Sequence, residues 1–248
     1  MKVSKISIFA LAAAMLLSAC GSVGNLSNTT KGGVIGGTSG AALGALIGNV
    51  TAPKHGNKTS RTLFGTAIGA AVGTGAGLLI GNKMDKAKQA AQAVQNAKVE
   101  STTDSHGYEA VKMTFDSGIL FASGKADLTA AAKSSLDQFA QNVLIPYPDV
   151  DVAIQGHTDN TGFKGVKDPA VNAQKNQELS LSRAASVQSY LLGKGIQASQ
   201  IKYVEGYGQE YPVADNSTEY GKQQNRRVEV YLYPSESMIK AAEAGTLQ

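Results

Sequence analysis

His157 and Asp159, in the segment GHTDNTG, have the H-x-D spacing with which an imidazole and a carboxylate can share one metal ion. A metal site needs more ligands, and the other histidines, His55 and His106, lie in different regions of the chain. Ser180 offers a hydroxyl, but no G-x-S-x-G elbow surrounds it to make a nucleophile. The sequence therefore predicts neither a metal centre nor an enzyme, and no cofactor. What remains is binding chemistry. On local grounds Asp159 is an Asx-type turn residue in D-N-T-G, and Arg183 is a solvated helix residue, so neither marks a site by itself.

The elements that must position these residues lie between 108 and 233. Residues 108–115 alternate apolar and polar as a strand does. Residues 128–143 carry an amphipathic helix opened by Asp127 or Thr129 as cap. Residues 150–155 read as a strand, and 179–192 as a helix stopped by Gly193 and Gly195. Two further strands, 201–206 and 227–233, complete the alternation. Such an order predicts a small α/β two-layer sandwich, a mixed sheet covered by helices. In the last strand, Arg226 and Arg227 fall on opposite faces.

The N-terminal third differs in character. No acidic residue precedes Asp85, so seven basic residues give the first 84 positions a charge of +7, while the remainder has 16 basic against 19 acidic residues, or −3. The overall +4 therefore belongs to the N-terminus and points to an anionic membrane surface. No basic run suggests a nucleic-acid stripe, and nucleic acid is not an expected partner. Lys2 and Lys5 followed by apolar residues 6–17 read as a signal peptide over 1–19. It ends in Leu-Ser-Ala-Cys, which resembles a lipobox, so Cys20 is the expected lipidation site. Cys20 is the sole cysteine, which excludes an intrachain disulfide. Gly21 and Ser22 follow it without the aspartate that favours inner-membrane retention, which supports an outer-membrane anchor.

After an expected lipid-anchored linker, 20–31, the chain repeats itself at a period of 33. Gly32, Gly36, Gly40, Gly44 and Gly48 align with Gly65, Gly69, Gly73, Gly77 and Gly81, together with Ile35/Ile68, Ile47/Ile80 and Asn49/Asn82. Glycines every four residues would weaken a helix in water but let two helices approach closely in a membrane. Residues 32–82 are thus expected to form a glycine-zipper helical hairpin, whether spanning the bilayer, lying on it or joining copies into a homo-oligomer. Residues 83–107 read as a solvated helical spacer and linker, and 234–248 as a C-terminal tail.

The segment 108–233 resembles the OmpA-like peptidoglycan-binding domain found in outer-membrane protein A and in the peptidoglycan-associated lipoprotein. The resemblance is carried by ILFASGKADL (119–128), GHTDNTG (156–162), Asn176, Leu179-Ser180, Arg183-Ala184, GYGQEYPVADN, and GKQQNRRVEV ending at Val230. It implies a protein held in the outer membrane through Cys20, with its C-terminal domain in the periplasm gripping the wall non-covalently. The implied ligand is peptidoglycan, through the ammonium and carboxylate of stem diaminopimelate. By the family pattern Asp159 takes the ammonium and Arg183 the carboxylate, for which a planar guanidinium is suited. Thr158 and Asn176 shape the turn and donate to the ligand, and Arg227 faces or braces the cleft. Phe121 and Leu179 read as core. Two departures stand out: Ala122 replaces a frequent aspartate, and the separation of 24 between Asp159 and Arg183 (183 minus 159) implies an insertion within 162–175. With Lys164, Lys167 and Lys175 against Asp168, that insertion is expected to overhang the cleft as a basic flap. The alternative is a zipper protein whose main task is self-assembly, with wall binding secondary.

Overall fold

A computed structural model of the chain describes residues 74–103 and 108–247. Five strands form one sheet: β1 (Ala97–Thr103), β2 (Glu109–Asp116), β3 (Val150–His157), β4 (Ile201–Gly206) and β5 (Arg227–Pro234), in the order β1-β2-β5-β3-β4. β3 and β4 are parallel and the other neighbours antiparallel, so the sheet is mixed as expected. On one face Val111, Met113 and Phe115 of β2, Val150, Val152 and Ile154 of β3, and Val228, Val230 and Leu232 of β5 are all buried. Helices α1 (Thr74–Gln92), α3 (Ala130–Phe139), α4 (Pro169–Gly193) and α6 (Glu236–Glu243) cover that face with Met84, Phe139, Val187 and Met238 among others. Two short helices, α2 (Ser117–Leu120) and α5 (Glu219–Asn225), lie beside the strand ends.

The local signals explain most boundaries. Thr129 caps α3, its Oγ1 accepting from the Ala132 amide at 3.0 Å. A five-residue π turn (Ala140–Leu144) extends that helix. α4 stops at Gly193, and Gly195 takes the left-handed backbone (φ 88°) that lets the Ile196 amide return to the Leu191 carbonyl.

Three expectations need correction. The stretch 83–107 is not a solvated spacer. α1 runs unbroken through Gly81, Asn82 and Lys83, and buries Ala76, Ile80, Met84, Ala87 and Ala91 at helical spacing. β1 follows and pairs with β2 from Ala97↔Phe115 to Thr103↔Glu109, so α1 and β1 belong to the sheet domain, which does not begin at 108. Alanines carry little apolar surface yet allow close packing, so the buried stripe of α1 is faint in the sequence. The tail is likewise part of the fold: Ser235 caps α6, and Met238, Ile239 and Ala242 join the core. Finally, the last two glycines of the second zipper repeat, Gly77 and Gly81, are buried in α1, a domain helix packed against α6, β1 and β2. Cys20 and zipper residues 32–73 lie outside the described residues. Among the described residues no helix is long and apolar enough to cross a membrane.

Candidate functional site

The site forms where β3 and β4 end, and two glycines make it possible. A Cβ on Gly156 would lie 2.1 Å from the Ser180 carbonyl oxygen, and one on Gly206 would lie 2.3 Å from the Leu181 nitrogen. Without side chains there, the backbone of α4 rests directly on the two strand ends. Ser180 locks the contact, with Oγ donating to the Gln177 carbonyl at 2.8 Å and accepting from the Gly208 amide at 2.9 Å. Gly208 accommodates this with φ 51°. Gln177 Nε2 also donates to the Gly206 carbonyl. The turn itself is tied by Thr158 N to the Gly208 carbonyl at 2.8 Å and Tyr207 N to the Gly156 carbonyl at 2.9 Å.

This seating places the candidate side chains. Asp159 is 5% exposed; its Oδ1 accepts from the Thr161 amide at 2.8 Å and its Oδ2 from Arg226 Nη1 at 2.5 Å. It is thus both the turn residue that local chemistry predicts and one half of an ion pair. Arg226 reaches Glu219 with its other nitrogen at 2.9 Å. Arg183, on α4 one turn beyond Ser180, is buried, donates Nε to the Lys125 carbonyl at 3.0 Å, and stacks over the Phe121 ring at 5.2 Å. Asn176, one turn before Ser180, bridges the Thr161 carbonyl at 3.2 Å and Gln209 Oε1 at 3.1 Å. The Thr158 hydroxyl is buried with no hydrogen-bond partner among the described residues.

The electrostatics follow from this arrangement. Burial opposes the charge of Asp159, but the Thr161 amide and the Arg226 guanidinium outweigh it and hold the carboxyl below its usual range. Burial also draws the Arg183 guanidinium down; Asp159 pulls it up and the neighbouring charge of Arg226 pushes it down. Two cations and one buried anion therefore share the site, each within reach of the others' field.

Of the expected residues, Asp159, Arg183, Thr158 and Asn176 gather where the end of β3 meets the middle of α4, and Arg227 does not. Arg227 pairs with His157 across the β3–β5 ladder and faces away from the helices, where its Nε donates to Glu229 Oε1 at 2.7 Å and its Nη2 to the Tyr211 carbonyl at 3.2 Å. Alternation put the two arginines on opposite faces, as expected, but the one turned toward Asp159 is Arg226. His157 likewise points away from Asp159, its Nε2 3.8 Å from Glu229, so the H-x-D pair does not converge on one point. Phe121 is core, as expected, whereas Leu179 is only half-buried.

The insertion also differs from expectation. Its second half, from Pro169, is the first turns of α4, capped by Asp168 accepting from the Ala170 amide at 2.8 Å. The preceding loop is pinned to that helix, because Asn172 accepts from the Phe163 amide at 2.7 Å and donates to the Val166 carbonyl at 3.1 Å. The Lys175 ammonium lies 5.8 Å from the Phe163 ring. A free flap is therefore not what forms. Sequence reasoning also passed over Asn225, which is fully buried and clamps the loop after β4 through Val213, Ala214 and Asn216. Its signal was an amide side chain just ahead of a strand and behind a turn-rich segment.

Comparison with known proteins fits this geometry. Residues 120–226 match the model of the OmpA family, and residues 1–85 match the YMGG-like Gly-zipper. Residues 120–226 are thus similar to OmpA-family domains. The chain is 35% identical over 147 residues to the "Probable lipoprotein YiaD" of Escherichia coli (strain K12), covering 57% of this chain and 62% of that protein. It is 36% identical over 126 residues to the outer membrane protein A of Bordetella avium, covering 51% and 59%. It is 37% identical over 114 residues to the peptidoglycan-binding protein ArfA of Mycobacterium bovis, covering 46% and 32%. The chain thus spans about 60% of the length of the first two relatives. All three are named as binding, membrane or lipid-modified proteins and not as enzymes, in agreement with the expectation of a non-enzymatic OmpA-like domain behind a glycine zipper.

Proposed function

We propose that this chain is an envelope lipoprotein that binds peptidoglycan non-covalently, recognising the ammonium and carboxylate of a diaminopimelate side chain in the peptide stem. The observation that carries the reading is the cluster of one buried carboxylate, Asp159, with Arg226 on one oxygen and the field of Arg183 beside it. A zwitterion needs such a dipolar socket. Its ammonium takes the Asp159 oxygen now held by Arg226, which keeps Glu219 as its second partner. Its carboxylate takes the freed guanidinium face of Arg226 or Arg183, each able to donate two parallel hydrogen bonds. The Thr158 hydroxyl supplies a further donor, and Asn176 holds the turn in place through the Thr161 carbonyl and Gln209. The OmpA family match, and a relative named for peptidoglycan binding, support the assignment.

In this reading Cys20 is acylated and holds the N-terminus in the outer membrane, leaving the OmpA-like domain in the periplasm. Zipper glycines before residue 74 join copies into a homo-oligomer, and the zipper match supports that second role. The test is retention of the purified full chain by purified peptidoglycan. Asp159→Ala, Arg183→Ala and Arg226→Ala should each weaken binding by about 30-fold or more, the scale of losing one partner of a hydrogen-bonded charge pair, about 2 kcal/mol or above. Equal retention of all four proteins, with unchanged circular dichroism, would discard the site.

A further inference from the structure

The domain has two distinct ends. β3 and β4 both run toward the cleft, so their starts, the end of β5, and Asp149 mark the opposite end, about 25 Å away along the eight residues of β3. α1 arrives at that far end. Lys83 binds Asp149 there at 2.6 Å, and the Ser235 amide that opens α6 donates to the Asp149 carbonyl at 3.1 Å. Thr74 lies nine residues before Lys83, so the first half of α1 projects about 13 Å further from the cleft, alongside α6.

No spacer separates this end from the zipper, because the helix that carries Gly77 and Gly81 is itself part of the domain. If the zipper residues up to 73 are membrane-associated, the domain has no length of chain with which to stand away from the bilayer. Leu78, Leu79 and Ile145 are 40%, 38% and 56% exposed, two of them in the projecting part of α1 and the third four residues before Asp149. Three lysines described at this end are paired, Lys83 with Asp149, Lys202 with Asp151 and Lys240 with Glu236.

We infer that this end is a lipid-contacting surface, on which Leu78, Leu79 and Ile145 enter the boundary between headgroups and acyl chains. The cleft then faces away from the bilayer, toward the wall. The inference rests on the reading of a membrane-anchored chain but not on what the cleft binds. Burial of these three side chains is an apolar contribution, which salt does not screen.

The chain contains no tryptophan, so single substitutions report unambiguously. Full-length Leu79→Trp and Ile145→Trp, with Ser123→Trp at an exposed position near the cleft as control, are reconstituted in phosphatidylethanolamine–phosphatidylglycerol vesicles with brominated acyl chains. The first two should lose fluorescence about two-fold or more, equally at low and high salt, while the control keeps its intensity. Flotation of the chain with the vesicles but no quenching at 79 and 145 would overturn the lipid surface and leave the anchor standing. Failure to float would overturn both. A blue shift without quenching would mean that a second copy covers this end, and equal quenching of all three would mean that the domain lies flat; either result sinks the inference.

Discussion

Gly156→Ala tests the central geometric claim, that the site exists because a helix backbone touches a strand end. The new methyl would lie 2.1 Å from the Ser180 carbonyl oxygen and 2.8 Å from its carbon, against 3.4 Å for an ordinary contact, so α4 or β3 must move by about 1.3 Å (3.4 minus 2.1). Overpacking costs about 1–3 kcal/mol, and the upper value applies because the obstacle is backbone and cannot rotate aside. For a domain of this size about 3 kcal/mol corresponds to a fall in Tm of roughly 6–12 °C. The displacement also carries Asn176 and Arg183 away from Asp159, so retention on peptidoglycan should fall with the melting temperature. Gly193→Ala, at the last residue of α4 with open space around it, serves as control and should melt at or slightly above the wild-type temperature. Thermal circular dichroism with a parallel pull-down gives both readings. A Gly156→Ala protein that melts and binds like wild type would refute the close-approach argument.

Two further outcomes follow from the buried groups and the C-terminal helix. Burial holds His157 at about 3, so below pH 6.5 the unfolded chain takes up its proton first and acid costs stability; burial raises Asp151 to about 6, which has the opposite sign between about pH 4 and 6. The two therefore largely cancel in the wild type between pH 6 and 5, while Asp151→Asn should lose about 2 kcal/mol between pH 6.5 and 5 in urea denaturation; a flat profile for that variant would show that His157 does not titrate as described. Ending the chain after Pro234 removes Met238 and Ile239 from the core and should cost about 3–6 kcal/mol, where a true tail would cost nothing measurable.

Much of the domain could be read from the residues alone. Alternation at β2, β3 and β5 and the caps at Thr129 and Gly195 are local signals, set by side-chain direction and backbone preference within a few residues. Asp159 and Arg183 stood out only through the family motifs around them, since local chemistry alone makes one a turn residue and the other a helix residue. The choice between Arg226 and Arg227 was not legible in the sequence. Alternation separates the two, but only the pairing of His157 with Arg227 across the ladder decides which face looks at Asp159. The same limit hid α1, β1 and α6. An alanine-rich helix and a short polar strand carry little apolar signal of their own, and they fold because Met84, Ala87, Met238 and the edge of β2 give them a surface to close on. Sequence determined the periodicities, the caps and the motif residues. Tertiary structure decided that α1, β1 and α6 belong to the domain and which arginine meets Asp159, because both depend on contacts between residues far apart in the chain.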